Sequence, residues 1–192
     1  MDYVRHTWQK ALWVPRVTGD AWRVYSDSDH AGDSKSGDVR SRTGVMIMLN
    51  GMPVFWRSNK QPQTSLSSAC AEIYALSEAC KDAKQRMLVH RDLGRKVEYP
   101  IKIQVDNAAG VSFQHSTCAS SKLRGIFDMA EKWVLELKDT KTVDAVKVDT
   151  KKNLADMMTK CLSHAVRSSL EAQIVTIAKT VAKQGYLGGT LD

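Results

Sequence analysis

The stretch VMIMLNGMPVFW, residues 45–56, decides the fold class of this chain. Asn50 and Gly51 stand between two apolar runs, and this pair is a preferred centre for the two-residue turn that joins antiparallel strands. Pro53 has no backbone N–H, so it belongs at the start of a strand or on a free edge. Residues 45–49 and 52–56 are therefore predicted to form a β-hairpin.

Three further strands are predicted outside the hairpin. The first covers residues 22–27, and the alternation of apolar and polar side chains places another over 101–105. A last strand is predicted over 142–148. Together with the hairpin these segments predict a sheet of five strands.

Helices are predicted in the segments between these strands. Ser67 or Ser68 is a suitable cap for a helix that Gly94 ends. Its apolar positions recur at spacings of three and four, which predicts one buried stripe: Ile73, Leu76, Cys80, Ala83 and Met87. Later helices are predicted from about 107 to 115, from 122 to 138, and over the segment that carries Asp156, with Asn153 as its cap. A final amphipathic helix is predicted from Val166, Leu170, Ile174, Ile177 and Val181.

This order of elements predicts an α/β fold of the mixed α+β kind, a five-stranded mixed sheet with helices on both faces. Residues 20–164 are predicted to form the domain. Residues 1–19 are predicted to be an arm or the tail of a preceding region. Residues 165–192 are predicted to hold the last helix and a frayed tail that contains two adjacent glycines.

Four carboxylates occupy the ends of these predicted elements: Asp27, Glu72, Asp106 and Asp156. Acids that are distant in sequence but lie at element ends can converge on one edge of a sheet. Such a cluster repels itself unless cations fill it, so it predicts a divalent metal site. Asp29 falls on the same strand face as Asp27 and is the alternative ligand. Taken singly, each acid also fits a turn or a helix cap.

Composition narrows the class of protein. With 192 residues, 43% of them hydrophobic, the chain can bury one good core. The net charge of +7 is typical of a protein that binds an anionic polymer, but it is equally consistent with a charge that only keeps the protein soluble. The four cysteines form no CxxC pair, so neither a zinc site nor a disulfide framework is expected. No signal peptide and no apolar stretch of about 20 residues is found, so we expect a soluble protein away from membranes.

Several motifs resemble the ribonuclease H domain of copia-type LTR retrotransposon polyproteins, over roughly residues 22–162. The matching segments are YSDSDHAGD at 25–33, WRSNKQP at 56–62, LSS at 66–68, AEIYALSEA at 71–79, VDN at 105–107 and NLADMMTK at 153–160. The sequence departs from the family pattern at His30, Cys70, Cys161 and the segment 121–128. The loop before Asp156 also lacks the histidine that some ribonucleases H place there, and it holds Lys151 and Lys152 instead.

The resemblance implies an RNase H-like fold and a metal-dependent endoribonuclease that cuts the RNA strand of RNA/DNA hybrids during reverse transcription. It implies two Mg²⁺ or Mn²⁺ ions held by Asp27, Glu72, Asp106 and Asp156. It also implies the reverse transcriptase portion of the same polyprotein as a partner, and a place in the cytoplasm, within a virus-like particle, or in the nucleus. We expect the isolated domain to be a monomer.

Substrate contacts are expected from a set of polar and basic residues: Ser28, Ala31, Arg57, Lys60, Lys81, Lys84, Asn107, Lys151 and Lys152. Trp56 is either a platform for a nucleic acid or, more simply, a core residue. Two alternatives to a ribonuclease H stay open. One is a catalytically silent module of the same fold that binds nucleic acid or tethers neighbouring domains. The other is a different nuclease on the same fold, against which the hairpin and the helix of Glu72 argue.

Overall fold

The computed structural model describes residues 10–12, 20–30, 39–62, 64–65, 67–115 and 129–177. The predicted hairpin is confirmed: strands β3 (Arg42–Leu49) and β4 (Met52–Lys60) are antiparallel neighbours. Asn50 and Gly51 have φ angles of 52° and 82°, the left-handed backbone that this turn requires. The strands are longer than predicted because their pairing continues through polar residues on both sides.

Three more strands complete the predicted five-stranded mixed sheet. These are β2 (Trp22–Asp29), β5 (Ile101–Val105) and β6 (Val143–Lys147), and the strand order is β4-β3-β2-β5-β6. Strand β2 is antiparallel to β3 and parallel to β5, which is in turn parallel to β6. The parallel pair brings the carboxyl ends of β2 and β5 to the same edge of the sheet.

One face of the sheet is covered by helices α1 (Ser68–Asp92), α2 (Ala108–His115) and α3 (Met129–Asp139). Ser67 caps α1, since its hydroxyl oxygen accepts the N–H of Cys70 at 3.2 Å. All five residues of the predicted stripe on α1 are buried, against Val24, Ile103 and other sheet residues. The predicted start of the third helix, at 122–128, lies outside the described residues.

The opposite face is covered by shorter elements. A 3-10 helix (Thr150–Lys152) leads into α4 (Asp156–Thr159) and α5 (His164–Glu171). Their apolar residues form a second core with the sheet: Tyr25, Met46, Met48, Leu154, Ala155 and Leu170. The prediction of helices on both faces is therefore confirmed.

The predicted final helix is wrong beyond Glu171. Residues Val175–Ile177 form a short strand, β7, which pairs antiparallel with β1 (Lys10–Leu12) in a separate two-stranded sheet. The sequence VTI favours a strand because two of its residues are β-branched aliphatics and the third is threonine. A partner strand more than 160 residues away in the sequence overrides the local helical period. Val181 lies outside the described residues, and the three-part division of the chain stays a prediction.

None of the helices within the described ranges combines the length and the apolar character needed to cross a bilayer. Three cysteines in those ranges, Cys70, Cys80 and Cys161, carry free thiols.

Candidate active site

Three of the four predicted acids meet at the carboxyl edge of β2 and β5. Asp27 lies near the end of β2, Asp106 directly follows β5, and Asp156 is the first residue of α4. One carboxylate oxygen from each lies within 4.8 Å of those of the other two. Asp27, Asp106 and Asp156 together form the acid cluster. Asp29, the alternative ligand, does not belong to it.

Glu72, the fourth predicted acid, is a buried residue near the start of α1. Its pKa is raised to about 7, chiefly by burial and then by the charges of Asp27 and Asp106, while Ser28 and Lys160 oppose the rise. It is not a member of the compact group whose oxygens all lie within 4.8 Å. Glu72 is thus a group that flanks the acid cluster, since the charges of Asp27 and Asp106 raise its pKa although it is not a member.

Burial also controls the other titrations in the cluster. Asp27 is fully buried, and this raises its pKa to about 6 although Thr159 and Lys160 act in the opposite direction. The pKa of Asp156 is likewise raised by burial, against the effect of Lys160. Carboxyl groups whose ionisation is this costly gain free energy when a cation neutralises them.

Two side chains that contact the acid cluster, Thr159 and Lys160, were not among the predicted site residues. The Thr159 hydroxyl donates to Asp27 Oδ2. The Lys160 ammonium lies 3.1 Å from Asp27 Oδ1 and 3.0 Å from Asp156 Oδ1. The spacing of Asp156 and Lys160, four residues apart on a predicted helix, was the available signal for their pairing.

Two contacts, with β2 and with β3, hold helix α4 against the sheet beside Asp27. The Asn153 side chain donates to the carbonyl of Ser26 at 3.2 Å and accepts the N–H of Ala155, also at 3.2 Å. Asn153 was predicted to cap the helix of Asp156. Instead, its side-chain oxygen closes the turn before the helix, and its side-chain NH₂ group donates to β2. The helix itself has no side-chain cap.

The second point of attachment is Gly44 on β3, which lies opposite Asp27 in the sheet. A Cβ atom at Gly44 would lie 2.7 Å from Thr159 Cγ2 and 2.8 Å from the carbonyl oxygen of Ala155. Only a glycine therefore allows α4 to approach the sheet this closely. The approach places Asp156 and Thr159 beside Asp27.

The donor set of the acid cluster fits a hard divalent cation. Its members offer only carboxylate oxygens, the ligands that Mg²⁺ and Mn²⁺ prefer. Asp27 and Asp156 are buried, whereas Asp106 is partly exposed and leaves the site open to solvent. A cation, the Lys160 ammonium, already bridges two of the three carboxylates.

Three of the predicted substrate residues contact side chains that do not belong to the acid cluster. Arg57 is engaged with Glu78 at 3.0 Å and with Asp82 at 2.8 Å, and Lys81 contacts Glu78 at 2.7 Å. Lys84 lies over the ring of Trp133, 5.4 Å from its centroid. These side chains join β4, α1 and α3.

Other predicted substrate residues lie nearer the cluster. Ser28 is buried one residue after Asp27, and Asn107 directly follows Asp106. Lys151 and Lys152 are exposed in the 3-10 helix that precedes α4. Lys60 ends β4, and Ala31 lies outside the described residues.

The interpretation of Trp56 as a core residue is wrong. Its side chain is 52% exposed, because β4 is the edge strand of the sheet and Trp56 is not covered by the helices that pack on its neighbours. Met87, a member of the predicted stripe on α1, is buried, and so are Met46 and Met48 on β3.

Comparison with known sequences gives two informative relatives, although no protein-family model matches the chain. The Retrovirus-related Pol polyprotein from transposon TNT 1-94 of Nicotiana tabacum is 27% identical over an alignment of 168 residues, and the match covers 80% of this chain and 12% of the polyprotein. The Secreted RxLR effector protein 161 of Plasmopara viticola is 51% identical over 59 residues, which is 31% of this chain and 40% of that protein. The chain therefore spans less than half the length of either relative.

Solved structures of the same architecture include LC11-RNase H1, isolated from compost by a metagenomic approach. It superimposes with a TM-score of 0.53 at 17% identity and covers 73% of this chain and 94% of its own. The N-terminal RNase H domain of rv2228c from Mycobacterium tuberculosis gives a TM-score of 0.52 at 10% identity, covering 81% and 96%. At these identities the likeness establishes the fold, which agrees with the predicted one.

Proposed function

We propose that this chain, an RNase H-fold domain homologous to part of a retrotransposon Pol polyprotein, is a metal-dependent endoribonuclease. Its substrate is the RNA strand of an RNA/DNA hybrid, cut during reverse transcription of a retrotransposon. The observation that carries this proposal is the convergence of Asp27, Asp106 and Asp156 within 4.8 Å at one edge of this fold. A tethering module has no need to bury mutually repelling carboxylates at one point.

The acid cluster would hold Mg²⁺ or Mn²⁺, with Glu72 as the flanking fourth ligand of a two-ion site. Two such ions, when bound, activate a water molecule and stabilise the negative charge of the leaving 3′ oxygen. The chain's own residues prepare this site. Thr159 fixes one oxygen of Asp27 and leaves the other for a cation. Burial raises the pKa of Glu72 to about 7, so the metal-free protein holds a proton there more tightly than an exposed glutamate does.

The hybrid substrate is supported by the charge of the chain and by a structural relative. LC11-RNase H1 has also been solved in complex with an RNA/DNA hybrid, with a TM-score of 0.53 to this chain. The net charge of +7 favours a polyanion. We propose that the reverse transcriptase portion of the same polyprotein is the partner, and that the domain acts in the cytoplasm or the nucleus.

The test is cleavage of end-labelled RNA in a hybrid, with Mg²⁺ or Mn²⁺, by the wild type and by Asp106→Asn. We expect cleavage by the wild type and its loss in the variant, which keeps the size of the side chain but removes its charge. Asp139→Asn, at the exposed end of α3, is the matched control and should cut at the wild-type rate. A folded wild type that cuts no hybrid, or an Asp106→Asn variant that cuts normally, contradicts the proposal.

The silent-module alternative makes a different prediction in a binding experiment. Such a module binds the hybrid equally well with and without Mn²⁺, and its Mn²⁺ binding does not depend on Asp106. The ribonuclease instead requires Mn²⁺ binding that Asp106→Asn weakens. Calorimetric titration of Mn²⁺ into both proteins separates the two functions without a cleavage assay.

A further inference from the structure

Lys160 occupies a position between two proposed metal ligands. Its ammonium group lies 3.1 Å from Asp27 Oδ1 and 3.0 Å from Asp156 Oδ1. Building on the proposed function, we propose that Lys160 is an internal substitute cation. It holds Asp27 and Asp156 together in the metal-free protein, and a divalent ion displaces it on binding.

Competition for the same oxygen atoms follows from the hydrogen bonds of Asp27. The Thr159 hydroxyl donates to Oδ2, so Oδ1 is the oxygen left for a cation, and the Lys160 ammonium contacts that oxygen. Asp156 Oδ1 is engaged by the same ammonium group. A metal ion that binds Oδ1 of both aspartates must therefore displace the Lys160 ammonium group.

The need for a substitute cation follows from burial. The side chains of Asp27 and Asp156 are only 1% and 5% exposed, and Asp106 contributes a third carboxylate within 4.8 Å. Carboxylates so close together and so little hydrated repel one another unless a positive charge lies between them. Lys160 supplies that charge from the end of α4, so the acid cluster is held together before any ion arrives.

Lys160 also has room to leave. Its side chain is 34% exposed, in contrast to the two aspartates, and it belongs to the residue that directly follows α4. It lines a cavity of about 540 Å³ that lies between β4 and the α4–α5 region, with Trp56, Met158 and Leu162 among the other lining residues. A lysine has a long flexible stem and a single compact charge, which suits it to move from one polar position to another.

The test compares the wild type with Lys160→Met, which keeps most of the stem and removes the charge. Lys96→Met, in the exposed loop between α1 and β5, removes the same charge far from the cluster and is the matched control. In a calorimetric titration with Mn²⁺, Lys160→Met should bind about tenfold more tightly than the wild type, because no charge-assisted hydrogen bonds have to be broken first. Lys96→Met should bind as the wild type does.

A second readout, thermal unfolding, needs no substrate. In EDTA, Lys160→Met should melt at a lower temperature than the wild type, and saturating Mn²⁺ should raise its melting temperature by more. If Lys160→Met does not fold, Lys160→Gln takes its place, and the same tighter binding is expected. Binding that is unchanged or weaker in the folded variant overturns the substitute-cation role.

These outcomes separate the inference from the proposed function. A wild type that binds Mn²⁺ through Asp106 and cleaves the hybrid, while the Lys160 variant binds no more tightly, refutes the role of Lys160 alone. A wild type that neither binds Mn²⁺ nor cleaves refutes the proposed function and the inference together.

Discussion

Replacement of Glu72 by glutamine should stabilise the metal-free protein at alkaline pH. Burial beside Asp27 and Asp106 raises the pKa of Glu72 from 4.5 to about 7. Because the pKa is higher in the folded protein than in the unfolded chain, the folded state holds the proton more tightly. The free energy of unfolding therefore falls as the pH rises from about 4.5 to about 7, and the full cost of ionising Glu72 remains above that range.

The size of the effect follows from the same numbers. A pKa that rises from 4.5 to about 7 corresponds to about 3 kcal/mol of lost stability at pH 8. Glutamine has almost the same volume and no charge, so Glu72→Gln should recover at most this amount. At pH 5 the folded wild type already carries the proton on Glu72, and the advantage of the variant should shrink to less than about 1 kcal/mol.

Urea unfolding in EDTA at pH 5 and pH 8 measures this difference directly. Glu78→Gln, on the same helix, is the matched control of opposite sign. Although burial raises the pKa of Glu78, Lys81 and Arg57 lower it below its usual value, so this carboxylate stabilises the fold when ionised. Glu78→Gln should lose stability at pH 8. If Glu72→Gln is no more stable than the wild type at pH 8, or keeps the wild-type pH dependence, the electrostatic account of Glu72 is wrong.

Three other substitutions test how the site is built, each by urea unfolding. Gly44→Ala should cost about 1–3 kcal/mol and weaken Mn²⁺ binding, because the added methyl group meets the backbone of α4 at 2.8 Å; unchanged stability would show that α4 can shift freely. Asn153→Ala should cost about 1–3 kcal/mol, because one of its buried hydrogen bonds joins the turn before α4 to β2 and the other closes that turn. Arg57→Met should lower stability by removing the partner that Glu78 and Asp82 share, with little change in hybrid affinity in a filter-binding assay. A loss of hybrid affinity at unchanged stability would instead show that Arg57 contacts the substrate.

The parts of the fold that sequence predicted are those whose signals are local. The turn at Asn50 and Gly51 requires residues that accept a positive φ, and both adopt it. The stripe on α1 repeats at the helical period because one side of the helix faces the sheet, and each of its members is buried. The same locality allowed Asp27 and Asp106 to be placed at strand ends before the strands were paired.

The predicted final helix failed because of a contact between distant segments. The helical period from Val166 onward stops at Glu171, because β7 finds its partner in residues 10–12. Arg57 stays a predicted substrate contact, chosen because it is basic, and the structure adds that two acids on α1 engage it. Sequence gives the charge of a side chain, whereas the neighbour that uses this charge depends on how the helices dock.

Helix α4 shows why the geometry of the acid cluster depends on docking rather than on helix propensity. Four residues are too few to form a stable helix alone, and α4 has no side-chain cap. Its position comes from the sheet instead: Asn153 bonds to β2, Gly44 admits the helix against β3, and the Ser58 hydroxyl of β4 donates to the carbonyl of Met158 at 2.5 Å. Three strands thus fix the carboxylate of Asp156 before any ion is bound. The segment NLADMMTK therefore combines two tasks within eight residues, since the same short stretch that carries Asp156 and Lys160 also carries the contacts that place them.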